Sequence, residues 1–272
     1  MSDFSVIISI YRNDCPDYVA RAVESITTYQ TRHPSEIVMI VDGPIPLELD
    51  NLVKNYELNP MFKVIRLSAN KGLGNALRIG VEKAGYDLVA RMDSDDVSAP
   101  DRFEKQIAYM VAHPDCDVVG GQMSEFIDSE DNIVGNRPVP YEDKDIKQFL
   151  KSRCPLNHVT VMMRKNAVLG VGNYIDWHYN EDYYLWIRMT LSGCCFANLP
   201  DTLVNVRVGK EMYQRRGGRK YFKSEKDLQD YMHRHKMISF PRYCYNTMIR
   251  YIVQVAMPNK LRGLIFQKFA RK

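Results

Sequence analysis

The chain has 272 residues, 45% of them hydrophobic and 26% charged, a globular balance that excludes a disordered or collagen-like polymer. A chain of this length buries roughly three quarters of its unfolded surface, which suits one large domain with an appendage. The formal charge of +4 hides an asymmetry: residues 1–202 carry 20 Lys/Arg against 29 Asp/Glu, and residues 203–272 carry 17 against 4. The basic tail is therefore expected to meet something anionic or to be well solvated.

Cys15, Cys116, Cys154, Cys194, Cys195 and Cys244 form no CxxC pair, which argues against a zinc site or a disulfide framework and suits the cytoplasm. Adjacent Cys194 and Cys195 read as two small buried residues at the start of a strand. Residues Phe4–Ile10 follow the N-terminus without a basic leader, so they read as a buried strand, not a signal peptide. No apolar run reaches the roughly 18 residues expected of a membrane-spanning helix.

In chain order, Phe4–Tyr11, Glu36–Val41, Lys63–Leu67 and Leu88–Met92 are short Val/Ile-rich runs of the kind buried on both faces of a parallel sheet. Helical patterns lie between them. Val19, Ala22, Val23 and Ile26 recur at helical spacing behind Pro16, with Asp14 expected to cap that helix. Leu47–Tyr56, Leu73–Ala84 and Arg102–Ala112 are the next helices, and the βαβα order calls for a sheet covered on both sides. Beyond residue 115, Met123–Asp128 and Asn132–Arg137 flank a turn and predict a hairpin. A polar helix near Asp143–Ser152, an apolar run at His158–Met163 and a helix at Glu181–Leu191 follow. Basic helical stretches around Tyr243–Ala256 and Asn259–Ala270 are separated by Pro258. No repeat or low-complexity segment interrupts the chain.

Ligands of open α/β sheets bind beyond the carboxyl ends of the strands. Three of these runs end there in polar residues: Tyr11-Arg12-Asn13, Asp42-Gly43 and Asp93-Ser94-Asp95-Asp96. Three carboxylates in four residues repel one another, and an oxygen-ligated Mg²⁺ or Mn²⁺ would offset that cost. The bland alternative is a solvated turn in which Asp96 or Ser98 caps the following helix. Asp42 suits either an Asx-type turn or a carboxylate accepting from a nucleobase or ribose. The Asn70–Asn75 turn offers backbone amides and Lys71 to an anion. Glu181 and Asp182 open a helix carrying Trp186 and Arg188; acidic residues suit a helix start electrostatically, and a general base is the functional reading. His158 is either a buried structural histidine or a site residue, and His178 sits in an aromatic neighbourhood.

Together the segments SVIISIYRND, IVMIVDG, NKGLGNALRIG, LVARMDSDDVSAPDRFEKQ, NHVTVMMRKNAVLGVGNY and NEDYYLWIRM occur in an order that resembles the family 2 glycosyltransferases of the GT-A fold over residues 3–220. The resemblance implies an α/β, Rossmann-like, mostly parallel sheet with helices on both faces, here followed by a basic helical C-terminal extension. It divides the chain into a catalytic domain at 1–220 and an extension at 221–272. It also implies that Ser9, Tyr11, Arg12 and Asp42 contact uridine with Lys71 close by. Asp93 would lie near the ribose and diphosphate, and Asp95, with Asp93, would hold Mn²⁺ or Mg²⁺, with Asp96 as a helper. Asp182 would be the catalytic base, with Glu181 as fallback, and His158, Trp186 and Arg188 would lie on the acceptor side.

The similarity is nearest to bacterial transferases that build O-antigen and exopolysaccharide units. It implies a UDP-sugar donor, an acceptor on an undecaprenyl-diphosphate-type lipid, and a peripheral place on the inner face of the cell membrane. Processive relatives carry a QxxRW motif and membrane helices. This chain has Gln214-Arg215-Arg216-Gly217-Gly218 instead, which argues for adding one sugar and stopping. A nucleotidyltransferase would be expected to carry a Gly-rich loop after the first strand, where Tyr11-Arg12-Asn13-Asp14 stands. A non-catalytic nucleotide-sugar-binding protein would not need the Glu181-Asp182 pair. The basic tail has no recognised nucleic-acid-binding motif beside it, and nucleic acid is not an expected partner.

Overall fold

The computed structural model describes residues 3–209 and 218–257. The expected helix at Asn259–Ala270 and most of the 214–218 segment lie outside the described residues. Strands β1 (Phe4–Ile10), β2 (Glu36–Val41), β3 (Phe62–Arg66) and β4 (Leu88–Met92) alternate with helices α1 (Pro16–Ile26), α2 (Leu47–Glu57) and α3 (Leu73–Lys83). The two-residue β5 (Val97–Ser98) precedes α4 (Arg102–Ala112), and β6 (Val118–Phe126) and β7 (Ile133–Arg137) form the expected hairpin. Then come α5 (Asp143–Leu150), a 3-10 turn at His158–Thr160, β8 (Met162–Arg164), α6 (Lys165–Gly170), α7 (Glu181–Leu191) and β9 (Phe196–Arg207). Helices α8 (Arg219–Arg234) and α9 (Phe240–Tyr251), the latter running into a π-helical turn at Ile252–Ala256, complete the described chain.

The nine strands form one sheet in the order β3-β2-β1-β4-β8-β6-β9-β5, with β7 also on β6. The first four are parallel, as connections through helices require. Alternation along each strand divides the core in two. Val6, Ile8 and Ile10 of β1 face Val19, Ala22, Leu49 and Phe103 on one side of the sheet. Ile7 faces Ala76, Leu77 and Val81 on the other, in a cluster that also holds Trp186 and, from α8, Leu228 and Met232. The helical extension thus shares its apolar core with the sheet.

Strand β9 is longer than the sequence pattern announces. It runs parallel to β6, but Leu199 pairs with Gly121 and Thr202 with Gln122, so Pro200 and Asp201 are passed over in a bulge. Proline cannot donate to a ladder, and a bulge is where a sheet tolerates it. Two expected caps are corrected. Helix α1 begins after Cys15 with no side-chain cap, because the Asp14 carboxylate accepts the Tyr11 N–H instead, at 2.9 Å. Helix α4 begins after Asp101, while Asp96 accepts the Arg207 N–H at 2.8 Å and Ser98 lies in β5. Cys194 and Cys195 precede β9 and are half-buried, and all six cysteines are free thiols, none in a disulfide.

Candidate active site

The ends of β1, β2 and β4 meet at one rim of the sheet. Ile10 pairs with Val41 and Ile8 with Met92, so Tyr11, Asp42 and Asp93 leave adjacent strands side by side. Asp42 is buried, and its carboxylate accepts the main-chain N–H groups of Lys71 at 2.7 Å and Gly72 at 3.0 Å. Charged acceptors make the stronger hydrogen bonds, so Asp42 fastens the loop after β3 to the end of β2. Gly43 makes the crossing possible. Its φ is +89°, and a Cβ there would stand 2.5 Å from the Asn70 nitrogen. Ser9 is partly accessible, and Tyr11, Arg12 and Lys71 are exposed along the same rim.

The acidic cluster follows β4. Asp93 pairs with Arg91, whose side chain is almost wholly buried while that of Asp93 is about one-third exposed (35%). Burial and the Asp93 charge raise the Asp95 carboxyl to about 6, against the pull of Arg91 and Arg207. Burial, then Asp93 and Asp95, push Asp96 up further. Asp14 belongs here too: burial raises it to about 6, with Asp95 and Asp93 adding to the rise and the Tyr11 N–H and Ser94 hydroxyl opposing it. Arg207 faces this cluster, donating to the Asp95 carbonyl at 3.2 Å with its guanidinium 3.8 Å from the centre of the Tyr18 ring.

Among the described residues no group of three His, Cys, Asp or Glu side chains forms a metal cage. Asp93 and Asp95 nevertheless fit a hard divalent cation, because their mutual repulsion is what such an ion relieves. One or two carboxylates suffice when water and phosphate oxygens complete the shell.

A second set of groups lies at the start of α7. Burial raises the Glu181 carboxyl to about 7, and the Asp182 charge adds to it. Burial also raises Asp182; a backbone hydrogen bond from Tyr183, then Arg137, the Cys154 thiol and Arg91 pull it back. The Cys154 thiol donates to Asp182 Oδ2 at 3.5 Å, and burial, with the Asp182 charge next, raises that thiol well above its ordinary range. His158 Nε2 lies 2.8 Å from the Tyr174 hydroxyl. Burial, then Arg91, hold that imidazole well below its usual range, so it is neutral at pH 7. Trp186, fully buried, meets His158 edge-on at 6.1 Å between ring centres.

Burial works against the Arg91 charge, and Asp93, its ion-pair partner, then Tyr174, Asp96 and Asp182 outweigh it and raise the guanidinium. Arg188 stands elsewhere: it donates to the Val171 and Asn173 carbonyls at 2.6 and 2.7 Å and stacks over Tyr184. His178 lies over Tyr179, while Trp177 packs on Tyr184. Sequence reasoning passed over Arg91, Tyr174, Arg137, Cys154 and Arg207 as site residues. Arg91 alone carried a signal, as a charged residue inside a strand otherwise buried on both faces.

A parallel half-sheet with acidic groups at its carboxyl rim, extended by mixed strands and bearing a second acidic pair on a later helix, defines a GT-A-type glycosyltransferase. The family model "Glycosyl transferase family 2" matches residues 5–171, and the chain belongs to that family. The amylovoran biosynthesis glycosyltransferase AmsE of Erwinia amylovora is 37% identical over 97% of this chain and 98% of its own length. The Escherichia coli UDP-Gal:alpha-D-GlcNAc-diphosphoundecaprenol beta-1,3-galactosyltransferase is 33% identical over 99% of this chain and 97% of its own. Among solved structures, the mannosyltransferase PcManGT of Pyrobaculum calidifontis, in complex with GDP-Man and Mn²⁺, superposes with a TM-score of 0.62 at 15% identity. That likeness covers 96% of this chain and 73% of PcManGT, and it bears on the fold.

Proposed function

We propose that this glycosyltransferase moves one hexose from a UDP-sugar to a sugar on a lipid diphosphate, inverting the anomeric centre, during assembly of a surface polysaccharide. The observation that carries the reading is the gathering of Tyr11, Asp42 and Asp93 at the carboxyl ends of three neighbouring parallel strands, with Arg91 paired to Asp93. The substrates named for the E. coli relative and the amylovoran pathway of AmsE support the choice of donor, acceptor and product. The nucleotidyltransferase and non-catalytic alternatives give way to family membership.

In this reading Tyr11, Arg12 and Asp42 frame the nucleoside, with Ser9 and Lys71 at the edge. Asp95 and Asp93 hold Mn²⁺ or Mg²⁺, which when bound offsets the charge of the departing diphosphate. Asp182 takes the proton of the acceptor hydroxyl, and Glu181 is the alternative base. A positioned base contributes about 10²–10⁴-fold. The acceptor oxygen forms its bond to the anomeric carbon as the bond to UDP breaks, so an α-linked donor gives a β-linked product. His158 and Trp186 lie on the acceptor side. Arg188 contributes by fixing the Val171–Asn173 loop that leads into Tyr174.

No helix of the described residues is long and apolar enough to cross a membrane, and the proposed location is peripheral, on the cytoplasmic leaflet. One face of α9 and the turn that continues it supports it: Tyr245, Met248 and Ile252 are about half exposed (55%, 56% and 46%), at helical spacing. The opposite face is fastened inward. Asn246 donates to the Lys151 carbonyl at 2.9 Å, and Arg250 donates to the Ser152 carbonyl at 2.7 Å and pairs with Glu225. The sequence beyond this helix, 258–272, holds five Lys/Arg and no acidic residue.

The direct test presents UDP-glucose, UDP-galactose and their N-acetyl forms, with Mn²⁺, to a lipid-diphosphate sugar acceptor. Transfer of one residue from one of these donors is expected. Transfer from guanosine-linked donors alone would overturn the uridine assignment.

A further inference from the structure

Strand β7 ends on Arg137, which the reaction proposed above does not use. Its guanidinium donates to the Cys154 carbonyl at 2.9 Å, the Leu156 carbonyl at 3.3 Å and Asn157 Oδ1 at 3.0 Å. Asn157 answers by donating to the Arg137 carbonyl at 3.2 Å and to the Gly121 carbonyl at 2.9 Å. Asn157 is fully buried. One planar side chain thus closes the turn 154–157 onto the β6–β7 hairpin, a use of the guanidinium fork that lysine cannot reproduce.

The turn has one side chain aimed at the proposed base. Cys154 reaches Asp182 Oδ2 at 3.5 Å. Its thiol is held protonated by burial, then by the Asp182 charge, so it is a donor to the carboxylate and not a nucleophile. Arg137 also bears on Asp182 through its charge. The arginine therefore acts on the carboxylate in two ways, through the turn it fastens and through space.

Resting on the assignment of Asp182 as base, we propose that Arg137 is a positioning residue: it fastens the Cys154–Asn157 turn so that the Cys154 thiol and its own charge hold Asp182 in place and ionised. The groups facing Asp182 from its surroundings are Arg137, Cys154, Arg91, Tyr174 and Glu181. Arg137, Cys154 and Arg91 favour the charged carboxylate; Arg91 is paired with Asp93, which leaves Arg137 and Cys154 as the two not engaged by the acidic cluster.

The test is the pH dependence of kcat for full-length enzyme, read as UDP release from whichever UDP-hexose turns over fastest, beside the ¹³C titration of the Asp182 side-chain carboxyl without substrate. Arg137→Gln is expected to move both midpoints upward by about 1 unit, the lower end for losing a nearby opposite charge. Arg137→Lys keeps the charge and should restore most of the midpoint while leaving a lower Tm. Cys154→Ala should move both midpoints the same way by less, and it serves if Arg137→Gln does not fold. Unchanged midpoints in the variants that fold would overturn the proposal. Near-normal turnover by Asp182→Asn, with the carboxyl titration still shifted by Arg137→Gln, would instead sink the base assignment and leave the positioning effect standing.

Discussion

A Cβ placed on Gly74 would lie 3.4 Å from Glu181 Cβ and 3.3 Å from the Asp176 Cα, so the first turn of α3 packs directly against the start of α7. This contact half-buries Glu181 beside the loop that Asp42 secures, and loss of solvent raises its carboxyl to about 7.

That burial has a cost with a definite sign. The folded protein keeps the Glu181 proton to about 7, while the unfolded chain releases it near its ordinary value of 4.5. The wild type therefore loses stability as pH rises from 4.5 to about 7, and the loss is complete above that. Glu181→Gln removes the term. Its Tm relative to wild type, followed by calorimetry in EDTA, should rise across that window and level off above it.

Asp95 and Asp93 repel one another in the protein alone, so a divalent ion and UDP should bind together. Asp95→Ala is expected to lower UDP affinity measured with Mn²⁺ by about tenfold or more while changing affinity in EDTA little. The substitution removes one carboxylate from a shell that water and phosphate oxygens would complete. Calorimetric titration checks it, and equal affinities with Mn²⁺ would remove Asp95 from the metal site.

The outer face of α9 predicts sedimentation with anionic vesicles. Apolar burial and roughly 1 kcal/mol per near-surface cation both favour binding. Replacing Tyr245, Met248 and Ile252 together with Asn should release the full-length protein from phosphatidylglycerol vesicles without changing its Tm by more than a few degrees. Substitution is preferable to truncation, because α9 is fastened to α8 by Asn246, which donates to Gln229 Oε1 at 2.8 Å, and by the Arg250–Glu225 pair.

Much of this fold is visible in the sequence, because strands buried on both faces are continuous apolar runs and the helices between them keep a 3.6-residue period. The starts of α7 and the hairpin are equally legible. Strand β9 is not, since Pro200-Asp201 interrupts its pattern and the bulge that accommodates them exists only in the pairing with β6. The site divides the same way. Asp93, Asp95 and Glu181-Asp182 stand out as local clusters of charge. Arg137, Cys154 and Tyr174 are brought to them by tertiary contacts between residues far apart in sequence. Asp14 and Asp96 show the opposite failure: each sits where a helix cap is expected, and each instead accepts a backbone N–H, from Tyr11 and Arg207 respectively.

The central claim is that the acidic cluster after β4 holds the leaving diphosphate while Asp182 accepts the proton. The most direct measurement is kcat of Asp182→Asn at saturating donor, with UDP affinity measured alongside. A fall of about 10²–10⁴-fold in kcat is expected, with UDP affinity kept within about twofold, since the substitution is close to isosteric. Turnover within about tenfold of wild type would contradict it.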